Sequence, residues 1–309
     1  MVHPYVSVVI PVFNEQENLP QLYQRLAQTL EKLNKPYEII FVDDGSKDDS
    51  RGILTEIYQQ SPKTVRVIFF NRNYGQHMAI MAAFEHVRGE VVVTLDADLQ
   101  NPPEEIPKLL EKISEGFDVV GGCRALRQDS LWRKTASKLN NYLRYRMTNI
   151  RMTDQGCMLR AYQRHIVDLM VEGAETSTFI PALAYSFAAN PTEIEVKHDA
   201  RLAGVSKYNL YRLLRLNFDL MTGFSLIPLQ IFTISGLILS FFSILFFAYL
   251  VLRRFIAGPE VEGVFTLFAL LFFLAGVIMM GLGIIGEYIG RIYQEVRRRP
   301  RYLIKNILE

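Results

Sequence analysis

The run Val91–Pro107 reads VVVTLDADLQNPPEEIP and carries the plainest chemistry of this chain. Val91 to Leu95 is apolar and mostly β-branched, which predicts a buried parallel strand. The strand ends in Asp96-Ala97-Asp98. Side chains alternate along extended backbone, so both carboxylates point to one side. Two hard oxygen donors at a strand's carboxyl end suit Mg²⁺ or Mn²⁺ carrying a diphosphate. Pro102-Pro103 closes the loop, and Glu104-Glu105 stands where a helix should begin. Asp-x-Asp alone is also an ordinary turn, so its surroundings must decide.

Those surroundings alternate between strand-like and helix-like segments. Strands are predicted at Tyr5–Val12, Tyr37–Asp43, Val65–Asn71, Glu90–Asp96 and Asp118–Gly121, and helices at Gln16–Leu33, Ser50–Gln60, Gln76–Val87 and Glu104–Glu115. The order implies an α/β fold: a mostly parallel sheet with helices on both faces, binding ligands at the strands' carboxyl ends. Polar clusters sit at those ends: Asn14-Glu15, Asp43-Asp44-Gly45-Ser46, Asn71-Arg72-Asn73 and Asp96-Ala97-Asp98. Gly45 and Ser46 are explained by a turn and a helix cap, whereas the paired carboxylates invite a nucleoside at Asp43. No G-x-G-x-x-G and no G-x-x-x-x-G-K-[ST] occurs, which argues against dinucleotide binding of the Rossmann kind and against a P-loop.

Composition changes near residue 228. Leu229 to Leu252 and Val264 to Gly286 contain no charged residue. Each exceeds the ~20 residues that span a bilayer as helix. The short link Arg253–Gly263 makes them a hairpin. Arginine and lysine crowd the flanks at Lys207, Arg212 and Arg215 and the tail from Arg291 to Lys305, which predicts cytoplasmic termini. Gly281, Gly283, Gly286 and Gly290 would allow close helix packing and a homo-oligomer. With 309 residues and a net charge of +2, nothing suggests a nucleic-acid partner. Cys123 and Cys157 are the only cysteines, too few for a disulfide scaffold.

Between the sheet segments and the membrane the pattern loosens. Arg124, Arg127, Arg133, Lys134 and Lys138 form a basic run, read on its own as a solvated face. Asp154-Gln155-Gly156-Cys157 is turn-like. Arg201-Leu202-Ala203-Gly204-Val205-Ser206-Lys207 is a loop between two cations, just before the amphipathic stretch Tyr208–Phe224. A cationic loop beside an interfacial helix is where a lipid phosphate would dock.

Val8-Val9-Ile10-Pro11-Val12-Phe13-Asn14-Glu15, Asp43-Asp44-Gly45-Ser46, Asn71-Arg72-Asn73-Tyr74-Gly75 and Asp96-Ala97-Asp98-Leu99-Gln100 resemble family 2 glycosyltransferases of GT-A fold. With the paired C-terminal spans, nearly the whole chain resembles the polyprenyl-phosphate glycosyltransferases related to dolichol-phosphate mannose synthase. Asn73–His77, Arg133–Lys138, Gly156–Tyr162 and Ser177–Pro181 resemble one branch, which handles 4-deoxy-4-formamido-L-arabinose in lipid A modification and polymyxin resistance. The resemblance implies a cytoplasmic catalytic domain at 1–206, an interfacial helix at 207–228, a two-span hairpin at 229–286 and a basic tail at 287–309. It implies a bacterial inner-membrane enzyme with a UDP-sugar donor and undecaprenyl phosphate as acceptor. Pro11, Asn14 and Glu15 would border the uridine, Asp43 would hold base or ribose, and Arg72 and Asn73 would lie near the nucleotide. Asp96 and Asp98 would hold Mg²⁺ or Mn²⁺. Asp154, Arg160, Arg201 and Lys207 would surround the sugar and the acceptor phosphate.

The acceptor is already an anion near neutral pH, so direct displacement with inversion needs cations more than a base. Asp154 is read as a base or as a positioning residue. UDP-glucose or UDP-N-acetylglucosamine as donor is the nearest alternative. A nucleotide-sugar hydrolase has no use for the cationic loop. A lipid transporter would need intramembrane polar groups to mark its route, and no charged residue occurs in the spans before Glu287.

Overall fold

A computed structural model describes residues 3–124, 152–154, 156–173, 179–198, 226–257, 264–297 and 300–309. The chain divides into two units. One comprises Met1–Lys207 with Arg299–Glu309, and the other Tyr208–Arg298.

The first unit is built on β1 (Val6–Val12), β2 (Tyr37–Asp43), β3 (Val65–Phe70), β4 (Val91–Thr94), β5 (Val119–Arg124), β6 (Arg160–Gln163), β7 (Pro191–Val196) and β8 (Ile304–Leu308). They form one sheet in the order β7-β5-β6-β4-β1-β2-β3-β8. β1 pairs parallel with β2 and β4, β2 with β3, and β5 with β7. β6 runs antiparallel between β4 and β5, and β8 antiparallel along β3. All seven residues of β1 are buried, as a central strand covered on both faces requires.

Helices α1 (Leu19–Glu31), α2 (Ser50–Gln60), α3 (Gln76–Phe84) and α4 (Ile106–Ser114) connect the parallel strands, and α5 (Arg164–Glu172) and α6 (Ile180–Phe187) follow β6. Helical spacing explains how α1 docks: Leu19, Leu22, Leu26 and Leu30 recur on one face and are all buried. α1 begins at Leu19 rather than Gln16, because Pro20 needs no N–H bond in the first turn. The mostly parallel α/β architecture agrees with the sequence reading.

Several features differ from it. No element was predicted for β7, α5 or α6, and β4 ends at Thr94 rather than Asp96. The short β6 was not predicted, and it contributes the fully buried Arg160. The tail predicted at 287–309 continues the preceding helix to Val296 and then forms β8 on the edge of the sheet.

The second unit contains α7 (Ile227–Ala257) and α8 (Val264–Val296). Among the described residues, Leu270–Tyr293 is long and apolar enough to cross a membrane, while the apolar run described in α7 is Leu229–Leu239. Large apolar side chains on both helices are uncovered, Phe255 at 85% and Phe272 at 74% exposure. The interfacial stretch Tyr208–Phe224 lies outside the described residues.

Candidate active site

β2 and β3 follow β1 on one side of the sheet, and the chain then crosses back to lay β4 on the other. At such a reversal the connections diverge and leave a crevice outside the strand ends. The ends concerned are those of β1, leading into Asn14, and of β4, leading into Asp96-Ala97-Asp98. Each carries a non-glycine residue in the left-handed region, Asn14 at φ 57° and Leu99 at φ 61°. A backbone held there costs about 1 kcal/mol or more, and such residues cluster where a loop must take one shape for a ligand.

The four polar clusters are tied into one network. The Asn14 N–H donates to Ser46 Oγ at 3.0 Å, and the Lys47 N–H donates back to Asn14 Oδ1 at 2.8 Å. The Glu15 N–H donates to Ser50 Oγ at 3.0 Å. Asp44 accepts the Tyr74 N–H at 2.6 Å and the Gly75 N–H at 2.8 Å. The Gln76 side-chain amide then donates to Asp96 Oδ1. Gly45 makes the close approach possible. It sits at φ 73°, and a Cβ there would fall 2.4 Å from the Arg72 carbonyl carbon.

Asp43 and Asp44 have different duties. Asp43 is fully buried, accepts Arg51 Nε at 2.6 Å and takes the Ser46 N–H on its other oxygen. Arg51 also donates to the Phe70 carbonyl at 2.6 Å, which joins β2 to the end of β3. Asp44 is 2% exposed, and burial raises its pKa against the lowering pull of the Tyr74 and Gly75 amides. Asp44, Arg51 and Gln76 were not singled out from sequence. Only Asp44 gave a signal, as the second carboxylate of the pair.

Asp96 and Asp98 are partly exposed, while the alternating Ala97 and Leu99 are buried. β4 ends at Thr94, and Ala97-Asp98 forms a turn, so the two carboxylates are presented by that turn rather than by the strand alternation expected from sequence. Asp98 Oδ1 also accepts the Gln100 N–H at 3.2 Å. Among the described residues no third His, Cys, Asp or Glu joins them as a metal cluster. Two carboxylates are hard oxygen donors of the kind that suits a divalent ion such as Mg²⁺ or Mn²⁺.

Pro11 is buried in β1, opposite Val42 of β2. Arg72 and Asn73 are exposed, with the Arg72 guanidinium 4.7 Å from the centre of the Tyr74 ring. Arg160 lies beneath the crevice. Its guanidinium donates to the carbonyls of Cys157 at 3.0 Å and Asp154 at 2.7 Å, and it lies 5.7 Å from the Tyr185 ring centre. Asp154 Oδ1 accepts the Gly156 N–H at 3.0 Å. Cys157 is 1% exposed, and burial pushes its thiol up to about 11, with the carboxylates of Asp154 and Asp96 adding to the rise. Arg201, Lys207 and the run from Arg127 to Lys138 lie outside the described residues.

At the start of α3, His77 meets Phe179 edge-on at 5.1 Å. Its Nδ1 is sealed from water with no hydrogen-bond partner, and burial lowers its pKa to about 4. Two surface cavities of about 580 and 450 Å³ lie elsewhere. The larger touches Tyr5 and Val91, at the opposite ends of the strands from the polar network.

A family model described as "Glycosyl transferase family 2" matches residues 7–169. The chain is 52% identical over 305 residues to an undecaprenyl-phosphate 4-deoxy-4-formamido-L-arabinose transferase of Klebsiella pneumoniae (strain 342), covering 98% of this chain and 93% of the relative. An equally named protein of Shewanella sediminis is 51% identical over 306 residues, covering 98% and 92%. Among solved structures, glucosyl-3-phosphoglycerate synthase from Mycobacterium tuberculosis, in complex with Mn²⁺, UDP and phosphoglyceric acid, is similar at 18% identity and a TM-score of 0.48. The match covers 71% of this chain and 76% of that one.

Proposed function

The chain belongs to glycosyl transferase family 2 and is a glycosyltransferase, and from that premise we propose that it moves 4-deoxy-4-formamido-L-arabinose from UDP to undecaprenyl phosphate. One observation carries the reading. Four polar strand-end loops converge on the β1–β4 crevice of a chain about half identical, over nearly its whole length, to proteins bearing that activity's name.

The nucleotide lies over the loops at Asn14-Glu15, Asp43–Ser46 and Arg72-Asn73, with Pro11 forming part of the floor. Asp43 acts from beneath, because both its oxygens are engaged by Arg51 and Ser46. Asp96 and Asp98 hold a divalent ion, Mg²⁺ or Mn²⁺. When bound, that ion supplies positive charge to the diphosphate leaving group. The acceptor phosphate oxygen forms the new bond at the anomeric carbon as the bond to UDP breaks, with inversion. No side chain need remove a proton from an acceptor that is already an anion. Arg160 is a positioning residue, since it is fully buried and donates to the two carbonyls that shape the Asp154 turn. Asp154 orients the sugar or the acceptor at the crevice. Arg201 and Lys207 bring the two phosphate-bearing substrates together against their repulsion.

Chain connectivity supports a two-span hairpin in the bacterial inner membrane with the catalytic unit in the cytoplasm. The chain leaves the first unit at Lys207 and returns at Arg299 to pair β8 with β3. Strands of one sheet share one side of a membrane, so the intervening crossings must be even in number. α8 supplies one, and α7, with 31 residues, is long enough at ~1.5 Å per residue to supply the other. The predicted divisions at 1–206, 207–228 and 229–286 stand as part of this proposal.

The test is a donor panel. Purified full-length protein with undecaprenyl phosphate and Mn²⁺ should consume UDP-4-deoxy-4-formamido-L-arabinose in preference to UDP-glucose and UDP-N-acetylglucosamine. Equal or preferred use of either competitor removes the sugar assignment.

A further inference from the structure

Resting on the donor-site reading above, we propose that the C-terminal segment Arg299–Glu309 is a working part of the nucleotide site, and that Tyr302 is a positioning residue for the loop 71–75. The segment returns to the first unit after α8 and lies along β3, the strand that leads into that loop. At its start the pairing reaches the loop itself, where the Asn71 N–H donates to the Leu303 carbonyl at 3.3 Å.

The Tyr302 ring stacks on Phe70, the last residue of β3, with centroids 5.1 Å apart and planes 14° from parallel. Its hydroxyl donates to Glu85, just past α3. Phe70 is fully buried, and its other neighbours lead into the site. Tyr74 meets Phe70 edge-on at 5.6 Å, while the Tyr74 and Gly75 amides bind Asp44. The Phe70 carbonyl accepts Arg51, which also holds Asp43. One aromatic ring from the far end of the chain thus braces the residue on which both the Asp43 and Asp44 arrangements depend.

The remainder of the segment is anchored independently. Glu309 accepts Arg66 at 2.6 Å and Arg88 at 3.2 Å, and Arg66 also faces the buried Glu38 at 3.4 Å. β8 should therefore stay paired when Tyr302 is altered, which would separate the effect of the ring from loss of the strand.

The test uses full-length protein in detergent with Tyr302→Ala and Tyr302→Phe. Hydrogen exchange at Tyr74 and Gly75 should quicken in Tyr302→Ala while β1 and β2 amides remain protected. UDP should bind it about 2- to 12-fold more weakly, the range an aromatic pair of ~0.5–1.5 kcal/mol implies, with the donor KM rising similarly and kcat little changed. Tyr302→Phe keeps the stack and should bind UDP within about twofold of the parent. Unchanged exchange at residues 74 and 75 in Tyr302→Ala overturns the proposal. So does a uniform loss of protection across the sheet, which would make the ring a general stabiliser. Quickened exchange in a protein whose parent form binds no UDP would keep the coupling and remove the donor-site reading instead.

Discussion

Replacing Asp44 tests whether the crevice loops are held as described. Its carboxylate accepts the Tyr74 and Gly75 amides at 2.6 and 2.8 Å, and no other bond ties those two amides down among the described contacts. An amide left unsatisfied in a buried site costs about 1–3 kcal/mol, so losing both sets a ceiling of about 6 kcal/mol. Two effects reduce it. Burial raises the Asp44 pKa, so the ionised carboxylate carries a desolvation cost that alanine does not. Tyr74 and Gly75 are only partly buried, so water can reach the vacated amides. The net expectation for Asp44→Ala is about 2 kcal/mol of loop stability, or roughly a 30-fold larger open population. Asp44→Asn keeps an oxygen for one amide and turns an NH₂ toward the other, so about 1 kcal/mol is expected. The assay is hydrogen exchange at Tyr74 and Gly75 in full-length protein in detergent. An asparagine variant as open as the alanine variant, or no change in either, would refute the reasoning.

Asp98→Ala should lower transfer roughly a thousandfold or more while leaving circular dichroism and membrane retention intact, since a lost ligand to the ion removes several kcal/mol of charge stabilisation. Near-parental turnover would take Asp98 out of the metal site. His77 binds a proton less readily folded, at about 4, than unfolded, at about 6.5. Between those values the unfolded chain holds more protons, so the stabilisation is complete above pH 6.5 and is lost as pH falls toward 4. Denaturant titrations should show His77→Phe losing about 1–2 kcal/mol less than the parent across that window, discounted for the ring's partial exposure; parallel curves would contradict it. A reporter fused after Glu309 should behave as cytoplasmic and one inserted at Gly258-Pro259 as periplasmic, and the reverse pattern would overturn the orientation.

Much of the fold could be read locally. Tyr37–Asp43 was bounded residue for residue, because the continuous apolar run Ile39–Val42 between turn signals has few other solutions. Asp96 and Asp98 were read as the end of a strand, whereas β4 stops at Thr94 and a turn carries Asp98. What escaped depends on distant partners. β6 is four residues long and begins with an arginine, and nothing local says that its guanidinium will be satisfied by two backbone carbonyls. β8 looked like a basic tail because its partner, β3, lies more than 230 residues upstream. The bond from Arg51, the second residue of α2, to Asp43 was not legible either, because nothing local says that this side chain will turn back to the end of β2. The convergence of the four clusters was legible as a shared sheet edge. Their linkage through Asp44 and Gln76 was not, because it is set by loop packing rather than by periodicity.

The measurement that bears most directly on lipid-linked transfer is the fate of the sugar when UDP is released. Full-length protein would be given labelled UDP-4-deoxy-4-formamido-L-arabinose, a divalent ion and undecaprenyl phosphate, and both UDP and the labelled products would be quantified. The expected result is one lipid-linked sugar for each UDP, abolished by omitting the lipid or by chelating the ion. UDP released with free sugar at the same rate whether or not the lipid is present would make the protein a hydrolase and contradict transfer to the lipid phosphate.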